Sequence, residues 1–336
     1  MLVNVGKLMS HTSTKGGGGV KHPFNPSLVD AWFMSGLSNA DKPSSIKGVM
    51  GNEMSLKNFT YSLNSGFGKY AVNWNGFAKI TANANFTNTD SVIHLTEILV
   101  ADSKFLQTSV DATISSYQVK VEGITDDIKL RYVSYAEDGT GVYTYLKNGI
   151  NDLPISYKKY TGFVASLVGS CNITITQLPS AYEGALVFDG VDDYGICTGL
   201  PIMTDYTVIC RRVLENNTKN VVASKSVVAG NGAFIFEYGN NATYSFSEYT
   251  SGLAVNLKDS VSYQTKNSYN GSTITVGNAD DTDTLTLGII REGDSRLLKG
   301  AIYYFALYNK SLTPEEVEEE KVKLENYWEG GKNELA

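Results

Sequence analysis

Three carboxylates, Asp189, Asp192 and Asp193, stand within five positions where an apolar run enters "FDGVDDY" (Phe188 to Tyr194). Carboxylates this close could share a hard cation such as calcium, divide acid and base work, or close a turn. An EF-hand fails: counted from Asp189, position twelve is Leu200 rather than the closing Glu. A looser calcium site would need oxygens from a second loop, and "NADDTD" (Asn278 to Asp283) is the candidate donor. The competing reading is an Asp-Gly turn whose remaining carboxylates face water or bond the loop backbone.

A second constellation, "FEYGNNATYSFSEYTSG" (Phe236 to Gly252), sets Tyr238, Tyr244 and Tyr249 beside Asn240 and Asn241. Sugar recognition needs an aromatic face for the apolar side of a pyranose, with amides or carboxylates around it. Tyrosines at alternating positions also read as cross-strand packing. Other chemistries find less support. Glycoside hydrolysis by a retaining mechanism needs two carboxylates roughly 5 Å apart. The nearest run, "EGDSRL" (Glu292 to Leu297), has Leu297 where a second Glu would stand and reads as a hairpin turn. The acidic run Glu315 to Glu320 reads as a solvated helix face. His11, His22 and His94 adjoin no nucleophile elbow, and "KGGGG" (Lys15 to Gly19) lacks the spacing of a phosphate cradle. No enzymatic activity is expected.

The elements that would position these residues are strands. The chain has 336 residues, enough for two cores, and its 21 Tyr and 32 Gly against 7 Pro suit strands joined by Gly/Asn/Asp turns. A net charge of −7 with no basic block argues against nucleic acid. There is no secretion signal or 18-residue apolar run, so neither secretion nor membrane insertion is expected. Cys171, Cys197 and Cys210 lack CxxC spacing and read as reduced core thiols.

Residues 1–45 read as an extended docking arm, with a Gly run, Pro23, Pro26 and Pro43, and the apolar Phe24, Leu28, Trp32 and Phe33. Those side chains need another surface, either the protein's own domain or a neighbouring subunit. Residues 46–180 read as a small β-sandwich, with alternation clear at Tyr117, Val119 and Val121 and at Ile173 and Ile175. Residues 181–336 form a second set of strands. "TLTLGIIRE" and "GAIYYFALY" are nearly continuously apolar, as strands covered on both faces would be. A helix follows, with Thr313 and Glu316 as a capping box, Leu312 and Val317 as a staple, and Val317, Leu324 and Trp328 on one face. Gly330-Gly331 is its expected end.

In this order, "FDGVDDY", "DYTV" (Asp205 to Val208) and "GAIYYFALYNKSLTPEEV" (Gly300 to Val317) resemble the laminin-G-like, concanavalin A-type jelly roll over residues 182–328. The first half, from "FNPSLVDAWF" through "CNITITQLP", is similar to virion proteins of tailed phages that infect gut Bacteroidetes, crAss-like phages among them. Together these imply an all-β fold of arm, small sandwich and jelly roll with a C-terminal helix. They imply a head fibre or capsid decoration protein on the particle surface, made in the host cytoplasm. Its expected partners are capsid or other virion proteins and a second or third copy of itself. The alternative is a host-surface glycan-binding adhesin, as a tail fibre or bacterial lectin, and a glycoside hydrolase ranks behind both.

Overall fold

The structure is a computed structural model that describes residues 23–215, 220–226, 232–239, 241–278 and 280–332. It is all-β, built from antiparallel sheets, with one α-helix, Pro314–Lys332, among the described residues. None of those residues forms a helix long and apolar enough to cross a membrane. The chain divides into two compact units. Of the described residues, the larger takes those up to Leu37, Pro43–Phe59 and those from Gly184, and the smaller takes Ser38–Lys42 and Thr60–Glu183.

The larger unit holds two sheets. One is centred on Lys299–Tyr308, flanked on one side by Thr207–Leu214 and then Ser260–Thr265. Along its other side it pairs with Ala181–Asp189 in its first half and with Leu28–Phe33 in its second. The other sheet runs Ser45–Lys47, Glu53–Lys57, Tyr194–Cys197, Leu285–Leu287, Val221–Lys225, Phe234–Tyr238, Ala242–Ser245 and Glu248–Thr250. Nine of the ten residues of Lys299–Tyr308 are buried, because the helix covers the sheet. Val317, Leu324 and Trp328 turn inward, with Trp328 edge-on to Tyr303. Thr313 and Glu316 exchange side chain-to-backbone hydrogen bonds, so the capping box forms.

Two expectations about this helix are corrected. It continues through Gly330 and Gly331 to Lys332. A Cβ on Gly331 would stand 2.5 Å from the Ser35 hydroxyl, so that glycine serves close packing rather than termination. The acidic run is also only partly a solvated face. Glu320 is buried, accepting hydrogen bonds from the Tyr308 hydroxyl and the Asn25 amide.

The docking arm is corrected too. Leu28–Phe33 is a strand of the larger unit, in register from Leu28↔Tyr308 to Phe33↔Tyr304. Phe24, Leu28, Trp32 and Phe33 are 5%, 6%, 0% and 8% exposed, so none presents a surface to a partner. Phe24 and Phe33 pack on Tyr327, and the Trp32 indole donates to the Asn52 carbonyl. The prolines permit this because the strand lies between Pro26 and Pro43 and bonds along its Lys299–Tyr308 side. Residues 46–59, expected in the first sandwich, belong to the larger unit instead, where Ser45–Lys47 and Glu53–Lys57 are strands. Residues 1–22 of the expected arm, with Lys15–Gly19, His11 and His22, lie outside the described residues.

The smaller unit is a sandwich of two five-stranded antiparallel sheets. One runs Gly141–Tyr145, Leu130–Tyr135, Gly162–Ala165, Ser103–Gln107, Ala78–Lys79, and the other Gly149–Leu153, Tyr117–Glu122, Gly169–Gln177, Val92–Ile98, Ala84–Asn88. Tyr117, Val119, Val121, Ile173 and Ile175 all point into the core, as their alternation requires, around Trp74 and Phe163. His94 is a strand residue hydrogen-bonded to Thr174.

Candidate functional site

The acidic turn has a structural use for its carboxylates. Asp189 ends a strand, Gly190 follows at φ 80°, and one Asp189 oxygen accepts from the Val191 amide at 2.7 Å. Asp193 is buried, and its Oδ2 accepts from the Asp189 amide at 3.0 Å. Asp192 is exposed, and its carbonyl accepts from the Asn58 side chain. Carboxylate oxygens of the three lie within 4.8 Å of one another. The proposed second loop is committed elsewhere. Asp280 pairs with the buried Lys225 at 2.6 Å and accepts from the Met203 amide, and Asp283 accepts from the Gly199 amide. The arrangement therefore favours the Asp-Gly turn. Asp193→Ala is expected to cost about 1–3 kcal/mol, by leaving the Asp189 amide unpaired. Calcium at millimolar concentration should leave the melting temperature of the wild-type protein unmoved; a calorimetric scan with and without the ion checks both.

The tyrosines behave differently: the fold brings them together at one end of the second sheet. Tyr244 and Tyr249 are direct cross-strand partners, with ring centroids 5.0 Å apart, and Tyr238 meets Tyr244 edge-on at 5.6 Å. Tyr238 and Tyr244 rest against Val221, Ile235 and Ile290, and Tyr249 remains about half exposed. This is an aromatic shelf seated on a small apolar base. Asn241, at φ 66°, is exposed at the turn between Tyr238 and Tyr244; Asn240 lies outside the described residues.

The loop read as a hairpin turn adds what the sequence did not suggest. Ile289 and Leu297 bridge, so 290–296 is indeed a turn, and it delivers Arg296 to the shelf. The Arg296 guanidinium donates to the Tyr238 hydroxyl at 3.0 Å and is gripped by Asp294 through two of its nitrogens. That grip holds Arg296 firmly cationic and keeps the Asp294 carboxyl below the usual range. Burial, followed by the neighbouring phenols, raises Tyr244, so its hydroxyl stays protonated at neutral pH. A cavity of about 70 Å³ opens here, lined by Phe234, Ile235, Tyr238, Tyr244, Arg291 and Arg296. Its volume is below the usual range for enclosed small-molecule pockets, which suits partial contact with a ligand lying across the surface. Glu292 accepts from the Tyr194 hydroxyl and Asp294 holds Arg296, so these two carboxylates are engaged by separate partners.

No protein-family model matches this chain, and a search of curated proteins finds no significant match.

Proposed function

We propose that this protein is a non-enzymatic component of a phage particle surface whose larger, laminin-G-like sandwich binds a glycan on the shelf of Tyr238, Tyr244 and Tyr249. The observation that carries this is the clustering of three tyrosines, partly exposed, beside a fixed guanidinium. The rings offer flat apolar area at little entropic cost, and Arg291, Arg296 and Asn241 supply hydrogen-bond donors at its edge. The resemblance to tailed-phage virion proteins supports the setting, a head fibre, decoration protein or tail fibre made in the host cytoplasm. Self-association into a dimer or trimer belongs to the same proposal, since symmetric assemblies are the rule for such parts. With Phe24, Leu28, Trp32 and Phe33 in the core, attachment to the particle uses other residues.

Single-site affinity is expected to be weak and retention to depend on multivalency. An array of capsular and dietary glycans probed with full-length protein tests the reading. Wild type should mark a restricted set of glycans, and Tyr244→Ala with Tyr249→Ala should weaken that binding by about tenfold or more while the fold is retained. A wild-type protein that marks no glycan, or variants that bind as wild type does, would remove the shelf from the account.

A further inference from the structure

The smaller unit carries an aromatic and cationic face of its own. Alternation along Leu130–Tyr135 sends Leu130 and Tyr132 into the core and Arg131, Val133 and Tyr135 to the outer side of the sheet. The strand registers then align Tyr145, Arg131, Val164 and Lys104 in one row across four strands, with Tyr143, Val133 and Gly162 in the next. Val133 and Val164 are nearly inaccessible on this outer face, beside the longer Arg131, Tyr135, Tyr143 and Lys104. Tyr143 and Tyr145 are 58% and 63% exposed, and Tyr160 is 45% exposed.

Every cation here sits against a ring. The Arg131 guanidinium lies 5.5 Å from the Tyr143 centroid and 5.9 Å from that of Tyr145. Lys104 stands 5.1 Å from the Tyr135 centroid and 5.9 Å from that of Tyr160, and donates to the Tyr135 hydroxyl at 2.8 Å. Lys159 lies 5.1 Å from the Tyr160 centroid. Asp102 pairs with Arg131. Arg131 and Lys104 thus share one sheet face with exposed rings, with Lys159 in the adjoining turn, in a protein whose net charge is −7. A long polyanion would be repelled by the protein as a whole, so a local cationic face decides whether and where it binds.

We propose that this face, Tyr143 and Tyr145 with Arg131 and Lys104, is a second ligand site that takes an anionic glycan, a chain of pyranoses carrying carboxylates. The rings stack on the apolar faces of the sugars, and Lys104 and Arg131 pair with the carboxylates. The site lies in the smaller unit and does not depend on the shelf of the larger one.

Affinity electrophoresis of the full-length protein through gels containing polygalacturonate, with neutral galactan as the counterpart, tests it. Wild type should be retarded by polygalacturonate and little by galactan, and about 0.5 M NaCl should abolish most of the effect. Tyr143→Ala with Tyr145→Ala should weaken retention about tenfold and Lys104→Gln severalfold. Tyr244→Ala should change neither, which separates failure here from failure of the shelf. Absence of retardation, equal retardation by galactan, or retention untouched by the double variant would each overturn the proposal. So would light scattering in which the double variant turns a dimer into a monomer while polygalacturonate retention is unchanged, since the face would then join two copies.

Discussion

Arg212→Ala is expected to destabilise the larger unit by about 3–5 kcal/mol, the largest effect of any single polar substitution in it. Arg212 and Glu237 face each other across the two sheets, both essentially inaccessible, with two parallel hydrogen bonds of 2.6 and 2.5 Å. The hydroxyls of Ser260 and Ser262 accept from the remaining guanidinium hydrogens, and Tyr269 donates to the same carboxylate. Removing the arginine leaves an ionised carboxylate in a low-dielectric interior, and that isolated charge sets the cost. Replacing both partners by apolar residues, Arg212→Met with Glu237→Leu, should recover much of the loss. At about 2–4 °C per kcal/mol for a unit of this size, the single variant should melt on the order of 10 °C lower. Hydrogen exchange should open first over Thr207–Leu214 and Phe234–Tyr238. An Arg212→Ala protein as stable as wild type would mean that water or a rearranged partner reaches Glu237.

The pair also bears on the site. Glu237 has φ 53°, at an irregularity where Ile235 pairs with Tyr244 and Tyr238 with Ala242. The inward ion pair holds this left-handed residue, and the next residue, Tyr238, turns to the shelf. Arg212→Ala should therefore weaken glycan binding as well as stability.

Trp32→Ala is the second large effect, with an expected loss of about 3–5 kcal/mol through transfer and cavity terms. A tryptophan on a docking arm would leave the isolated protein's stability unchanged on removal and cost only attachment. A tryptophan with no exposure, beside Phe305 and bonded to the Asn52 carbonyl, costs the fold instead. Thermal denaturation of the isolated protein distinguishes the two. An unchanged melting temperature would return Trp32 to a docking role.

Local pattern carried much of this architecture. The inward alternation of Tyr117, Val119 and Val121, and the helix face of Val317, Leu324 and Trp328, depend on period alone and were legible. The strand Leu28–Phe33 was not, because its partner lies some 270 positions away and flanking prolines made the segment look like an arm. The adjacent arginines in "TVICRRVL" part at a register irregularity, and nothing local marks which of them turns inward. Arg212 does, while Arg211 reaches Asp259, Glu325 and the Trp328 ring. Its acidic partner was hidden, since Glu237 faces inward by virtue of an irregular strand. Tyr238, Tyr244 and Tyr249 were visible as a cluster in sequence, but Arg296 reaches them only through the hairpin. The outer-face row of Tyr145, Arg131, Val164 and Lys104 combines four strands whose order no local signal gives.

The most direct test of the central claim is hydrogen–deuterium exchange of the full-length protein, with and without the glycan that the array selects most strongly. Added protection is expected over Phe234–Tyr238, Ala242–Ser245, Glu248–Thr250 and the 290–296 turn, lost in the Tyr244→Ala, Tyr249→Ala protein. Bound glycan that leaves those segments unprotected would contradict the claim.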